Sequence, residues 1–337
     1  MPLLVALSAM GTRFELVLSG EPEAPPLRAL AEEALEVVAE LDRRLSRFRR
    51  DGIPAALARA AAAAAQNGDG VGTLRVAREE MVLLELCRRA HARSGGAFDP
   101  AHLSALDEKT ATFAGVRIDR RGRRVGVPAC LAPLDFGAVA KGYALDLAAR
   151  ALARGGVRVG LLHGGTSSVV ALGAPPGRAA WRVAVRDPAD DGERPRALAT
   201  VALRDAALSV SAPHGSTRDV GGRRVGHVVD PRDGAPVESV RVAAVVARHG
   251  ATSEVASTAL LVRAERAIRA AAGADDPPAL RRRLLACADL LPPSAAALVA
   301  FEAGGALHPV LLGPHAAVFS DVAAPRAFAV PCPETSP

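Results

Sequence analysis

The stretch LDFGAVAKGYALD, residues 134–146, contains one of only two lysines and the only tyrosine among 337 residues. Arginine supplies nearly all the other positive charge. A lysine ammonium is a compact charge whose pKa shifts readily on burial, whereas a guanidinium is a planar, permanent cation. The pattern therefore indicates that Lys141 has a chemical role that arginine cannot serve. The alternative is that this lysine was retained by chance. Small residues before Lys141 predict a tight turn, and residues 145–153 predict a helix closed by Gly155 and Gly156.

Helix and strand patterns on both sides of this stretch indicate a mixed fold. Apolar residues at three- and four-residue intervals predict helices over residues 24–50, 77–94 and 253–272. We expect Thr252 or Ser253 to cap the third of these helices. Alternating or continuous apolar runs predict strands at residues 157–162, 169–172, 181–185, 199–211, 240–246, 297–301, 310–312 and 317–319.

Composition limits the classes of partner that the chain is expected to bind. Half of the residues are hydrophobic, which makes a sizeable core feasible. The formal net charge is +6, but the basic residues are spread along the chain and aromatic residues make up only 3% of it. A surface that stacks nucleobases needs aromatic side chains beside its basic ones. We therefore expect no nucleic-acid partner, whereas an anionic small ligand stays open.

The cysteines and the N-terminal segment predict a cytoplasmic protein. The four cysteines lie far apart and form neither a CxxC pair nor a zinc-binding spacing. The N-terminal segment MPLLVALSAMGTRFELVLSG lacks the basic start of a signal peptide and predicts two adjoining strands instead. No uninterrupted apolar run has the length of a membrane helix. We therefore expect a soluble protein without a membrane partner.

Glu254 and Thr258 are candidate ligands of a metal ion. They lie four residues apart at the predicted start of a helix, so a carboxylate and a hydroxyl project from one face. Hard oxygen donors of this kind suit magnesium better than zinc. The alternative is that Glu254 is an ordinary first-turn residue, because a carboxylate there interacts favourably with the helix dipole.

His227 and Asp230 form the polar part of the segment HVVDP. A histidine with a near-neutral pKa can accept the proton of an attacking hydroxyl group. The same spacing also fits a satisfied histidine in a strand, followed by an Asp-Pro turn. The residues taken alone leave both interpretations open.

Six short motifs occur in the order in which one known family carries them. They are MGT (10–12), GGAFDP (95–100), LDFGAVAKGYALD (134–146), HGGT (163–166), HVVDPRDGAPV (227–237) and SEVASTAL (253–260). On these motifs the chain resembles the ApbE family of flavin transferases over roughly residues 10–268. The resemblance implies a magnesium-dependent reaction that splits FAD, attaches FMN through a phosphoester to a threonine or serine of a target flavoprotein, and releases AMP.

The resemblance also implies roles for individual residues. His227 would act as the catalytic base, and Lys141 would offset phosphate charge. The backbone carbonyl of Ala138 would join Glu254 and Thr258 as a metal ligand. The positions that match the family's FAD-binding motifs are Met10, Asp99, Lys141, Tyr143, Asp146, Gly164, Gly165, Ser211, His227 and Asp230.

The sequence also departs from the family's pattern. Glutamate stands at residue 254 where the family has aspartate, and Gly164-Gly165-Thr166 replaces GGD. Residues 101–104 replace a GPL segment, and residues 210–214 replace a TSG-like turn. These changes keep two alternatives to the transferase open: a catalytically weak or inactive FAD-binding protein, and an FAD pyrophosphatase. For Asp146, a plain helix-face carboxylate is the alternative.

The expected fold follows from the resemblance more firmly than from the strand patterns. It is an α+β fold of mixed, largely antiparallel sheets flanked by helices, with the active site in a cleft between two interlocked lobes. We expect residues 1–275 to form the ApbE-like flavin transferase domain. Residues 276–337 are expected to add strands that complete the same domain.

Overall fold

The computed structural model of the chain describes residues 2–19, 26–102, 112–131, 133–188, 196–213, 217–220, 223–226, 228–271, 276–324 and 326–327. His227 lies outside these residues, so its role stays a prediction. The helices are α1 (Leu27–Leu45), α2 (Ile53–Asn67), α3 (Arg78–Ser94), α4 (Ala140–Arg154), α5 (Gly250–Arg269) and α6 (Pro277–Leu285).

The strands follow one another along the chain between and beyond these helices. They are β1 (Leu3–Ala9), β2 (Thr12–Ser19), β3 (Val71–Arg75), β4 (Arg117–Asp119), β5 (Arg124–Pro128), β6 (Val159–Gly164), β7 (Ser168–Leu172), β8 (Trp181–Arg186), β9 (Ala197–Leu203), β10 (Ala206–Ser211), β11 (Thr217–Val220), β12 (Arg223–Gly226), β13 (Val240–Ala247), β14 (Ala296–Ala303), β15 (Ala306–Leu312), β16 (Phe319–Ser320) and β17 (Arg326–Ala327).

A nine-stranded sheet dominates the described part of the chain, in the order β1-β2-β6-β7-β10-β13-β14-β15-β17. All its neighbouring strands pair in antiparallel fashion. Three smaller sheets have the orders β16-β9-β8, β3-β5-β4 and β11-β12. The predicted α+β class with largely antiparallel sheets is therefore confirmed. The domain boundary at residue 275 stays a prediction.

Strand β13, in the interior of the large sheet, is buried on both faces, which explains its nearly continuous apolar sequence. Val240, Ala243 and Val245 belong to the larger hydrophobic core, on the side of the helices. Val242 and Ala244 belong to a second core, which includes residues of β8 and β9. Successive side chains of a strand point to opposite faces, so one strand contributes to both cores.

Helices α1, α4 and α5 contribute to the larger core together with the sheet. Val38 of α1, Leu145 of α4 and Leu260 of α5 are wholly buried within it. No helix in the described part of the chain combines the length and apolar character that a membrane crossing needs.

Several predictions about element boundaries are wrong. The strand predicted over residues 199–211 is two strands, β9 and β10, in different sheets, and the helix predicted to reach residue 50 ends at Leu45. Helix α4 begins at Ala140, five residues before the predicted start, so Lys141 lies in its first turn. Helix α5 begins at Gly250, and neither Thr252 nor Ser253 caps it. Residues 317–319 do not extend the large sheet, because a 3-10 turn ends at Val318 and β16 pairs with β9 instead.

Candidate active site

Helices α4 and α5 cross at a contact between two glycines. A Cβ atom added to Gly142 would lie 2.3 Å from the carbonyl oxygen of Gly250, and one added to Gly250 would lie 2.7 Å from that of Gly142. These distances are far below a van der Waals contact, so only hydrogen at both positions allows this crossing. The close approach places the first turns of the two helices side by side. It thereby brings Lys141 next to Glu254.

Asp146 caps α5 from the neighbouring helix. Its Oδ1 accepts a 2.7 Å hydrogen bond from the Gly250 N–H, and its Oδ2 accepts a 3.0 Å bond from the Ala251 N–H. The first amides of a helix have no partner within it, so a carboxylate here satisfies them. Burial raises the pKa of Asp146, although both amides act in the opposite direction. The capping carboxylate belongs to α4. The local sequence therefore could not reveal it, and it wrongly indicated a cap at Thr252 or Ser253.

Glu254 carries a buried carboxylate whose two oxygens differ. Only 4% of its side chain is exposed. The Ser168 hydroxyl at the start of β7 donates a hydrogen bond to Oε1, and Lys141 Nζ lies 3.5 Å from the same oxygen. Oε2 is buried and has no hydrogen-bond partner among the described residues. Leaving a buried charged acceptor without a partner is costly, so the arrangement favours a site that a ligand completes.

Hydroxyl groups from β10 and α5 form a connected set beside Glu254. Ser211 Oγ lies 2.8 Å from Ser257 Oγ and 3.3 Å from Thr258 Oγ1. Ser209 Oγ lies 3.1 Å from Ser257 Oγ, and the Ser257 hydroxyl donates to the backbone carbonyl of Glu254. The structure thus brings the predicted residues Ser211 and Thr258 together. These hydroxyl groups place several oxygen atoms that could act as ligands at the end of β10 that faces α5.

The predicted metal ligands fit a hard cation in their donor chemistry. The unpartnered Oε2 of Glu254 supplies a negative charge, and Thr258 lies one helical turn further along α5. Ala138 lies in the turn before α4, where Lys141 Nζ is 3.5 Å from the Gly137 carbonyl oxygen. Magnesium is commonly held by one or two carboxylates together with substrate phosphates, so a single glutamate is a sufficient charged ligand.

The motifs MGT and HGGT meet where β2 pairs with β6. Met10 lies in the turn between β1 and β2 with a positive φ of 50°, and its N–H donates to Asp42 Oδ1 of α1 at 3.0 Å. Gly164 ends β6 inside its pairing with β2. A Cβ atom on Gly165 would lie 2.4 Å from Thr12 Oγ1. The glycines of HGGT therefore allow this segment to contact the MGT segment, which is distant in sequence. The predicted contacts of Met10, Gly164 and Gly165 with FAD stay predictions.

Asp99 and Tyr143 each have partners within the protein. The Asp99 carboxylate accepts a 2.7 Å hydrogen bond from the Ala101 N–H and lies 3.3 Å from His91 Nε2. The Tyr143 hydroxyl donates to the backbone carbonyl of Glu79 on α3 at 2.8 Å, and burial raises its pKa to about 12. Both side chains hold secondary structure elements together. Their predicted contacts with FAD stay predictions.

Asp230 is buried and fully paired. Arg266 donates two hydrogen bonds to its carboxylate, at 2.5 and 2.6 Å, and Arg269 donates a third at 3.0 Å. The backbone N–H of Arg232 adds a fourth at 2.9 Å. Burial works to raise the pKa of Asp230, but the arginines outweigh it, so the pKa lies below its usual value. These bonds attach the loop that follows His227 to the C-terminal half of α5.

Sequence reasoning missed three serines of this site: Ser168, Ser209 and Ser257. Ser168 lies shortly after the HGGT motif, at the start of an otherwise apolar strand. A hydroxyl group at such a buried position indicates a polar partner inside the protein, and this could have identified Ser168. Ser209 and Ser211 alternate within β10, so they point to the same face of the sheet. That alternation was visible in the sequence, but its partner on α5 was not.

The model of the ApbE family matches the chain over residues 10–280. The matched range includes all six motifs and both crossing helices. The solved ApbE protein of Thermotoga maritima superposes with a TM-score of 0.73 at 22% identity, covering 92% of this chain and 97% of that one. At this identity the likeness concerns the fold.

Two proteins named FAD:protein FMN transferase are similar in sequence. The one from Rhodobacter capsulatus is 41% identical over 133 residues, which are 39% of this chain and 24% of that protein. The one from Treponema pallidum (strain Nichols) is 26% identical over 287 residues, covering 75% of this chain and 76% of that protein. The chain therefore matches about a quarter of the first relative's length and about three quarters of the second's.

Proposed function

The chain belongs to the ApbE family, and we propose that it is a magnesium-dependent FAD:protein FMN transferase. This is the activity for which the two similar proteins described above are named. The proposed reaction cleaves FAD, attaches FMN to a threonine or serine of a separate flavoprotein, and releases AMP. We further propose that it takes place in the cytoplasm.

One observation carries the proposal: the unpartnered Oε2 of Glu254. The same carboxylate is held through its other oxygen by Ser168 and lies beside the Lys141 ammonium. A carboxylate that is fixed through one oxygen, while the other is buried without a partner, is preorganised to bind a cation. Thr258 supplies a neutral oxygen one turn away. The residues of this arrangement that the sequence had already indicated, Lys141, Glu254 and Thr258, belong to the AKGY and SEVAST segments.

The proposed chemistry assigns each of these groups a part. The acceptor hydroxyl oxygen attacks the FMN-side phosphorus of FAD, the bond from that phosphorus to the bridging oxygen breaks, and AMP leaves. The hydroxyl proton goes to a base, for which His227 is the predicted residue. Lys141 offsets charge on the phosphate oxygens, because phosphoryl transfer depends on positioning and charge neutralisation. Magnesium, when bound, supplies further charge neutralisation at the pyrophosphate.

The direct test incubates the purified protein with FAD, MgCl2 and an acceptor peptide, and separates the products by chromatography. We expect AMP and flavinylated peptide in equal amounts. A chelator should abolish both products, and Glu254→Gln should lower both by roughly 10²–10³-fold. Release of AMP together with free FMN would favour a pyrophosphatase instead. Bound FAD without any turnover would favour the alternative of a catalytically weak or inactive FAD-binding protein.

A further inference from the structure

The hydrogen bonds among the hydroxyl groups beside Glu254 have a fixed direction. A serine or threonine hydroxyl has one hydrogen to donate and two lone pairs that accept. The Ser257 hydroxyl donates its hydrogen to the backbone carbonyl of Glu254, because a carbonyl oxygen can only accept. Ser257 Oγ is therefore the acceptor at its 3.1 Å contact with Ser209 Oγ and at its 2.8 Å contact with Ser211 Oγ. Both lone pairs of Ser257 Oγ are then in use.

The same count of hydrogens sets the direction of the bond between β10 and Thr258. Ser211 donates its single hydrogen to Ser257 Oγ, so it has none left for Thr258 Oγ1, which lies 3.3 Å away. The Thr258 hydroxyl is therefore the donor in this contact. A threonine in a helix otherwise often donates to the carbonyl four residues earlier. That carbonyl belongs to Glu254, and the Ser257 hydroxyl already uses it.

Thr258 Oγ1 consequently has two lone pairs available, while its hydrogen is directed to Ser211. Ser211 is its hydrogen-bond partner among the described residues, and Thr258 is partly exposed, unlike the buried Ser257. One helical turn earlier, Oε2 of Glu254 is likewise without a partner in this part of the chain. A hydroxyl whose hydrogen is held elsewhere offers only lone pairs, as a hard cation requires of a neutral oxygen ligand.

We infer that Ser257 and Ser211 are positioning residues of the cation site, and that they act through Thr258. The inference rests on the proposed magnesium-dependent function and extends it to these two side chains. The hydrogen bonds run from Thr258 to Ser211, from Ser211 to Ser257, and from Ser257 to the Glu254 carbonyl. They hold the Thr258 hydroxyl in the rotation that leaves its lone pairs free for a cation.

Titration of Mn²⁺ into the full chain without FAD, followed by electron paramagnetic resonance, tests the inference independently of turnover. In Ser257→Ala, the Ser211 hydrogen is free to turn to Thr258 Oγ1 and occupy one of its lone pairs. We expect Mn²⁺ affinity to fall roughly tenfold, as for other residues that orient a metal ligand. Ser211→Ala removes the acceptor of the Thr258 hydroxyl and should have a similar effect. It repeats the test at a half-buried position if Ser257→Ala is unstable.

The matched control is Ser253→Ala, one helical turn before Ser257 on α5. The side chain of Ser253 is buried as completely as that of Ser257. Its hydroxyl donates to the backbone carbonyls of Ala207 and His249 and not to the hydroxyl groups beside Glu254. The variant should lose a comparable amount of stability in thermal unfolding, and it should change Mn²⁺ affinity less than twofold.

A double-mutant cycle determines whether Ser257 acts through Thr258. Thr258→Val keeps the shape of the side chain and removes its oxygen, so it should itself weaken Mn²⁺ binding at least tenfold. In the Thr258→Val background, Ser257→Ala should add less than a twofold loss, because the oxygen that it orients is already absent. A general structural role for Ser257 would instead give the full loss in both backgrounds.

Three results would overturn the inference. One is the absence of Mn²⁺ binding to the unaltered chain, and another is an equal loss of affinity in Ser257→Ala and Ser253→Ala. The third is a full loss from Ser257→Ala in the Thr258→Val background. FMN transfer, measured in parallel, separates the inference from the proposed function. A chain that shows the expected Mn²⁺ pattern but transfers no FMN contradicts the function alone, and normal Mn²⁺ binding in Ser257→Ala of an active transferase contradicts the inference alone.

Discussion

The buried carboxylates of Glu254, near the start of helix α5, and of Asp230, which contacts the C-terminal end of the same helix, have different surroundings. Asp230 accepts hydrogen bonds from Arg266 and Arg269 through both oxygens. Glu254 uses one oxygen for Ser168 and Lys141, while Oε2 has no partner in the described part of the chain. Each carboxylate is less than one tenth exposed, so burial alone does not distinguish them. What distinguishes them is whether the protein itself completes their hydrogen bonding.

The difference separates a structural carboxylate from a candidate functional one. A carboxylate whose two oxygens both accept hydrogen bonds, as those of Asp230 do, holds a loop to a helix and has no oxygen left for a cation. The incomplete pair at Glu254 costs stability when nothing is bound, and it recovers that cost when a ligand arrives. Four variants or conditions test this contrast, and we order them from the largest expected effect to the smallest.

Glu254→Gln should have the largest effect, because it removes the charge while keeping the shape of the side chain. We expect FMN transfer to fall roughly 10²–10³-fold, as is typical when a transition-state contact is lost. The melting temperature should change little, because the removal of a buried, incompletely paired charge is offset by the loss of the ion pair with the partly exposed Lys141. Product chromatography and thermal unfolding check both parts. A variant with full activity, or one that unfolds, would make Glu254 resemble Asp230 instead.

Asp230→Asn should show the reverse pattern, with its main effect on stability. The substitution leaves Arg266 and Arg269 without their carboxylate in a mostly buried setting, which costs roughly 3 kcal/mol. For a chain of this size we expect the melting temperature to fall by on the order of 5 °C. Differential scanning calorimetry measures the change. An unchanged melting temperature would contradict a structural role for this ion pair.

Ser168→Ala tests whether the hydroxyl positions Glu254. It removes the hydrogen bond to Oε1 but keeps Lys141, so the carboxylate gains freedom to rotate. We expect Mn²⁺ affinity, measured by electron paramagnetic resonance, to fall roughly tenfold, as for other residues that orient a metal ligand. The matched control is Ser167→Ala, since the Ser167 hydroxyl contacts Ser168 but not Glu254. Equal losses in both variants would contradict a specific role for Ser168.

The pH dependence of unfolding should show the smallest of the four effects. The direction in which the contribution of Asp230 to stability changes with pH can be checked. The pKa of Asp230 is lowered in the folded state, so its stabilisation is present above its unfolded pKa of roughly 3.9 and disappears as pH falls through the lower folded value. The stabilities of the unaltered chain and Asp230→Asn should therefore converge in acid. Urea unfolding across the acid range measures this. A stability difference that stays constant with pH would contradict the assignment.

The fold class and most elements could be predicted because their signals are local. The pattern of α3 gave its bounds to within one residue, and the N-terminal segment formed two strands as expected. The start of α5 could not be predicted, because its cap is Asp146, distant in sequence. The position of β16 was also hidden, because its two residues pair with β9 rather than with the large sheet.

The site was predictable only where a motif carried it. Lys141 and Glu254 were identified by residue type and resemblance, and the structure brings them within 3.5 Å. The reason for that proximity, the contact of Gly142 with Gly250, requires three-dimensional packing. Ser168 was missed because a serine in a strand has no distinctive spacing, and its meaning depends on the carboxylate opposite.

The most direct test of the central claim is an anomalous diffraction map of crystals of the full chain grown with Mn²⁺ and FAD. If Glu254 Oε2 is the open position of a cation site, one anomalous peak should lie in coordination contact with it and with Thr258 Oγ1. A well-ordered Glu254 that still contacts only Ser168 and Lys141, with manganese bound elsewhere, would contradict the account.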